Sequence, residues 1–304
     1  MSTGAARDTH KNLIIISASL LFVFLWSSGH ITSKLGLPYI EPLTFLSIRF
    51  FLSALLLGLI ALVMRAPWPS RPNQILHIIV AGSLMHAGYL SGVFISIDLG
   101  LNAGALAVIT GIQPILTAVS VGPLLGENVT KRQWIGLLLG FLGVMFVMWE
   151  KTTIEGTPIA ALVSACLCLA AITAGTIYQK RFCENHDIRS LNAIQLFVSA
   201  MLCGSFALIF ENMQIEWSNR MIFAMGWQVI ILSAAAYSLF YWLLRKGEAL
   251  RVTSLFYLMP PTTAIMGYVI FDETFGLIGI CGLFVAMLGF SAIFHFRSSQ
   301  NIQK

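Results

Sequence analysis

Ten predominantly apolar stretches decide what this chain can fold into. They cover about 13–33, 43–64, 75–97, 103–125, 133–149, 158–178, 191–210, 226–244, 252–271 and 275–296. Roughly 20 such residues cross the hydrocarbon core of a bilayer as a helix. Backbone polar groups meet no water there, so each stretch must close its own hydrogen bonds. The expectation is an all-α membrane protein of ten transmembrane helices with no separate soluble domain. Composition agrees: 57% of the 304 residues are hydrophobic and 10% are charged, against about 45–50% and about 25% in soluble domains. The first stretch follows Arg7 and Lys11 but is long for the apolar part of a signal peptide. No small-residue cleavage site follows Trp26-Ser27-Ser28-Gly29, so it reads as an uncleaved span.

Charge in the connections sets the orientation. With the N-terminus in the cytoplasm, 14 of the 18 basic residues fall in inside segments; Lys34, Lys151 and Arg220 fall outside, and Arg49 lies within a span. This is the positive-inside pattern, and an even number of spans returns the C-terminus to the cytoplasm. The net charge of +5 therefore reflects topology. No basic cluster interleaved with aromatics points to nucleic acid. Cys166, Cys168, Cys183, Cys203 and Cys281 read as small apolar residues of the helices rather than as metal ligands or disulfides. Neither a Walker-type glycine loop nor a Gly-x-Ser-x-Gly or His-Glu-x-x-His motif occurs, so neither an ATPase nor another enzyme is expected, and no cofactor.

An internal repeat organises the chain. A shift of 146 residues lays Ser53-Ala54-Leu55-Leu56-Leu57-Gly58 over Ser199-Ala200-Met201-Leu202-Cys203-Gly204 without a gap. The same shift carries Lys34 to Lys180, Pro114 to Pro260, Glu127 to Glu273, Gly136 to Gly282 and Gly143 to Gly289. Each copy, 14–149 and 158–296, holds five spans. An odd number makes the second copy enter the membrane from the opposite side, which is the inverted-repeat plan of secondary transporters.

Pro114 with Gly126-Glu127 at the end of the same span is followed by Gly136, Gly140 and Gly143 on the next. With Trp26-Ser27-Ser28-Gly29 and Pro42 to Arg49, this pattern resembles the EamA-like domain of the drug/metabolite transporter superfamily. The resemblance covers nearly the whole chain. The second copy departs from it where Gln195 replaces the arginine and Ile172 the tryptophan. What it implies is a ten-helix bundle around a central cavity that exports amino acids or other small metabolites across the bacterial inner membrane.

Arg49 is the one Asp, Glu, Lys or Arg clearly within a span, and intramembrane charges usually face a bundle interior. Three readings stay open: a structural pairing that lines the cavity or ties the loop of Glu41, contact with a substrate carboxylate, and snorkelling to the outer surface. His86 lies deeper, either carrying a coupling proton or binding an anionic group, or bridging helices as a neutral imidazole. His30, near the outer end of the first span, lines a gate or sits at a wet helix end. Trp26, Tyr89, Tyr237, Tyr241 and Tyr257 lie at depths that suit the aromatic wall of a metabolite site, with simple packing as the alternative.

Glu127 and Glu273 are expected to cap the N-terminus of the next helix or to pair with loop groups. Gly136, Gly140, Gly282 and Gly289 mark close helix packing, within the subunit in preference to a dimer contact. Pro114 and Pro260 break their helices, and they mark the wall and flexing points of the transport path. Gln113, whose repeat partner is Met259, is where selectivity is sought. The expected substrate path is thus Trp26, His30, Arg49, His86, Tyr89, Gln113, Pro114, Tyr237, Tyr257 and Pro260.

These readings converge on a multi-pass secondary transporter that exports small metabolites, amino acids or related zwitterions first among them, by alternating access. Export of drugs or other aromatic or cationic compounds is the runner-up; it would predict an acidic cavity, and no acidic residue sits mid-membrane. Partners are a small-molecule substrate and the lipid bilayer. Proton coupling against facilitated movement, and monomer against homodimer, stay open.

Overall fold

A computed structural model describes residues 2–149, 156–247, 249–271 and 276–294. Within them, eight segments are long and apolar enough to cross a membrane. These are α1 (Ser2–Gly36, apolar from Ile14), α2 (Pro42–Val63), α3 (Pro72–Asp98), α4 (Gly104–Leu125), α5 (Lys131–Met148), α6 (Ile159–Cys183), α7 (Ile188–Phe210) and α8 (Asn219–Lys246). Residues 249–271 form α9, and α10 (Leu277–Phe294) has 18 residues, or about 27 Å of helix. Large apolar side chains such as Leu59, Leu62, Leu208, Phe210 and Leu277 stand more than half exposed. A contiguous surface of this kind is rare in soluble proteins, and lipid covers it here.

Two of the ten apolar stretches are not continuous helices. In α4, Ala103–Thr110 ends before a turn at Gly111-Ile112, and Gln113–Leu125 begins anew. In α9, Ala249–Ser254 passes through a 3-10 turn, Leu255–Leu258, into Met259–Phe271. Pro114 and Pro260 each lack an N–H and crowd the carbonyl four residues back, so each helix restarts at its proline. The α3 and α8 helices stay continuous but widen into π turns at Ser83–Gly88 and Gln228–Ala236. Residues 83–88 moved by 146 fall on 229–234, within the second π turn.

Polar side chains finish the helix ends. Asn102, Thr130, Asp187 and Ser218 accept backbone N–H groups at the starts of α4, α5, α7 and α8, satisfying donors that have no partner within the helix. The start of α2 is capped from a distance: the Glu211 carboxylate accepts the Leu43 and Thr44 amides at 2.6 and 2.7 Å. Gly126, at φ +71°, closes α4 in the left-handed conformation that glycine adopts without strain.

Helix α1 packs on α8 and α9, and α6 packs on α3 and α4. Helix α2 meets α7 and α8, whereas α7 meets α2 and α3; α4 meets α9, and α5 meets α10. Every one of these pairings has its counterpart five helices along the chain. The α5–α10 contact is made by bare backbone. A Cβ on Gly136 would lie 2.8 Å from the Gly289 carbonyl oxygen, and one on Gly282 would lie 2.8 Å from that of Gly143. These glycines therefore serve packing inside the subunit. The basic connections meet at one end of the bundle, where Ser190 reaches Pro67, Arg181 reaches Leu124 and Lys180 reaches Gly247. At the opposite end, Ile40 bridges to Ile215.

Candidate functional site

Four helices bring polar groups to the centre of the bundle. Arg49 enters from α2, seven residues below its start at Pro42, or about 10 Å. Arg49 is 3% exposed, and its Nε donates to the Ser233 hydroxyl of α8 at 2.9 Å. That hydroxyl lies in the π turn of α8, and His86 lies in the π turn of α3. Such turns interrupt the regular ladder and turn side chains and carbonyls out of their usual directions. One consequence is visible at Met85, whose carbonyl accepts the Tyr237 hydroxyl at 3.2 Å. No carboxylate forms an ion pair with Arg49 among the described residues. Glu41, considered as its partner, approaches Asn212 instead, at 3.5 Å.

Rings enclose this charge. The Trp26 and Tyr237 centroids are 4.7 Å apart, and those of His86 and Tyr237 are 4.2 Å apart. Phe22, Phe240 and Phe256 back the Trp26 indole. Tyr89, three residues beyond His86 on α3, is buried in the same core cluster as Trp26 and Tyr237. All these groups except the half-buried Phe256 are buried, so in this conformation the centre is shut off from water.

A hydrogen-bond chain runs from His86 toward the basic end. The Tyr241 hydroxyl lies 3.1 Å from His86 Nε2 and donates to Gln195 Oε1 at 2.7 Å. Gln195 Nε2 in turn donates to Gln179 Oε1 at 2.8 Å. A hydroxyl carries a single proton, and the Tyr241 proton is committed to Gln195. In the neutral ring His86 Nε2 therefore donates to Tyr241, which leaves Nδ1 as a bare acceptor. His86 is 0% exposed, and Nδ1 has no hydrogen-bond partner. The centre thus offers a donor pole at Arg49 and an unfilled acceptor at His86.

Both ends are tied shut. The two protons of Gln228 Nε2 are shared among three acceptors at 2.9–3.0 Å, the Gly29 carbonyl and the Thr32 and Ser33 hydroxyls. The Trp227 indole donates to the Ser28 hydroxyl at 2.9 Å, so α8 is clamped to α1 in the half distant from the basic end. At the basic end, Glu127 pairs with Lys180 at 2.7 Å and accepts the Ala249 amide at 3.1 Å. Glu127 therefore caps the start of α9. The expected cap on the next helix, α5, is supplied instead by Thr130 with Gln133. That exchange follows from the left-handed Gly126, which ends α4 ahead of a loop facing α6 and α9. Glu273 lies outside the described residues.

Of the residues expected on the substrate path, Trp26, Arg49, His86, Tyr89 and Tyr237 come together, joined by Tyr241. Tyr257 is placed elsewhere: its ring lies on Gly140 of α5, in a cluster with Ala118, Leu137, Val144, Leu250 and Ile293. Gln113 and Pro114 are buried at the restart of α4, with Gln113 Nε2 lacking a hydrogen-bond partner. Pro260 is half-buried at the restart of α9. The side chain of His30 lies outside the described residues. Sequence reasoning did not single out Ser233, Gln179 and Gln228. Gln195 was detectable as the residue 146 places after Arg49. Gln179 falls one residue beyond the apolar stretch that ends at 178.

A family model described as the EamA-like transporter family matches residues 13–149 and again 159–294. Among curated proteins, an uncharacterized transporter YvbV of Bacillus subtilis is 26% identical, with 90% of each chain covered. A probable amino-acid metabolite efflux pump of Escherichia coli is 23% identical over 89% of this chain and 91% of its own. An S-adenosylmethionine/S-adenosylhomocysteine transporter of Chlamydia muridarum is 27% identical over 90% of each. One crystal structure superimposes with a TM-score of 0.77 at 15% identity, covering 94% of this chain and 98% of the other; the likeness is one of fold.

Proposed function

The chain belongs to the EamA-like transporter family, and from that premise we propose that it exports small zwitterions, amino acids or their close relatives, by alternating access. The observation that carries this reading is Arg49. A buried guanidinium is costly unless paired, and its protein partner here is a neutral hydroxyl. A substrate carboxylate supplies the missing charge, held by the planar fork of donors that suits it. His86 Nδ1 then accepts from the substrate ammonium group, and Trp26, Tyr89 and Tyr237 wall the side chain. The names of the E. coli and Chlamydia relatives fit this reading, since S-adenosylmethionine and S-adenosylhomocysteine also carry an amino-acid head group.

The architecture belongs to the same proposal: ten spans in two inverted repeats, 14–149 and 158–296, with both termini cytoplasmic in a bacterial inner membrane. Its support is the set of helix pairings that survives a shift of five helices, the π turns and helix restarts 146 residues apart, and the gathering of basic connections at one end. In this scheme α9 and α10 supply the last two spans. Rocking of one repeat against the other opens the α1–α8 clamp and the Glu127–Lys180 contact in turn, and the restarts at Gln113-Pro114 and Met259-Pro260 flex.

The test is efflux from proteoliposomes loaded with labelled amino acids, their deaminated carboxylates or cationic dyes, with and without a pH gradient. Amino-acid efflux that exceeds the other two is expected, and its dependence on the gradient reads out proton coupling. Movement of the dyes alone would replace this reading with drug export.

A further inference from the structure

A groove of about 400 Å³ runs along the side of the bundle between α4 and α6. Leu116 and Leu124 line one wall, and Ala174 and Ile177 the other. It extends along α6 from Ala170 to Arg181 and Phe182, and 11 residues of helix from Ala170 to Arg181 rise about 16 Å. Half of a ~30 Å hydrocarbon core is about 15 Å, so the groove is as deep as one leaflet.

Its mouth is built differently from its walls. Arg181, exposed at the basic end, donates Nη1 to the Leu124 carbonyl at 3.0 Å and lies over the Phe182 ring. No carboxylate pairs with Arg181 among the described residues. Its remaining N–H donors are free for an anion, and a guanidinium matches phosphate geometry. Beside it, His77 Nδ1 lies 2.7 Å from the Tyr178 hydroxyl, and the His77 ring stacks on Phe182 with centroids 4.6 Å apart. Amphipathic rings of this kind settle at the depth of lipid headgroups. Apolar walls one leaflet deep, an interfacial ring cluster and an arginine with donors to spare at the polar end therefore coincide.

We propose that this groove is a binding site for one anionic glycerophospholipid from the leaflet at the basic end. An acyl chain lies between α4 and α6, and the headgroup phosphate sits on Arg181. The attraction between one surface arginine and anionic lipid then sets which headgroup is retained, while the groove fixes where the chain lies.

Native mass spectrometry of the detergent-purified full chain, titrated with 16:0/18:1 phosphatidylglycerol or phosphatidylcholine, tests the site. Preference for phosphatidylglycerol is expected, with Arg181→Gln reducing it about fivefold. Ala174→Phe, which places a ring in the groove from an exposed position, should abolish retention of that one lipid. Lys246→Gln, also exposed at the basic end, should change nothing. Equal losses in the Arg181 and Lys246 variants would mean diffuse attraction and overturn the site. Retention unchanged by Ala174→Phe would overturn the groove as its seat. A change of oligomeric state in Ala174→Phe without loss of lipid would reassign the groove to a contact between copies of the chain.

Discussion

A guanidinium held by one hydroxyl and a ring of aromatics has most of its hydrogen-bonding capacity unspent, and this makes Arg49 the first residue to test. Hydrogen bonds to charged groups contribute about 1.5–3 kcal/mol, so Arg49→Ala should slow amino-acid efflux by about 10- to 100-fold. Arg49→Lys, which keeps the charge but loses the planar fork, should fall between; initial efflux rates normalised to incorporated protein check both. His86→Phe keeps the ring and removes the bare acceptor. It should lower the preference for an amino acid over its deaminated carboxylate by about fivefold, roughly 1 kcal/mol, as read from competition experiments. If the preference were unchanged, Nδ1 would have no part in holding the ammonium group. Arg49 and His86 were legible in the sequence because polar residues stand out in apolar stretches. Ser233 was not, since a serine in a membrane helix has the same appearance whether or not an arginine reaches it. The separation of Tyr257 from the other rings was equally hidden, because depth along a helix does not say which face a side chain takes.

At the scale of elements, α5 and α10 touch backbone to backbone, and the glycine spacing announced it. Gly289→Leu must drive a branched side chain into the Gly140 and Gly136 backbone. Overpacking of this kind costs about 1–3 kcal/mol. The variant should unfold at lower temperature in detergent than the parent, whereas the same change at Gly226, where nothing lies within 4 Å, should be tolerated. The restarts of α4 and α9 were also readable, since proline acts on its own helix. The π turns of α3 and α8 were not. An extra residue in one turn has no residue-type signature, and the pairing of α3 with α6 and of α8 with α1 becomes visible only once the helices are assembled.

For the molecule as a whole, the two ties across α1–α8 and around Glu127 predict how transport can be stopped. Thr32 and Gln228 are bonded in the present conformation. Paired cysteines at these positions, in a background without the exposed Cys166 and Cys281, should arrest efflux when bridged by a bifunctional methanethiosulfonate reagent, and reductant should restore it. Full activity of the cross-linked protein would show that this end need not open.

By itself the sequence determined the all-helical membrane class and its apolar helices, because hydrocarbon admits only segments that satisfy their own backbone. It also exposed the polar residues that the bilayer would otherwise reject. Which of them meet was decided by tertiary structure alone. Arg49 and Ser233 lie 184 residues apart in the chain, as His86 and Tyr241 lie 155 apart, and only the packing of α2, α3 and α8 turns those side chains toward one another.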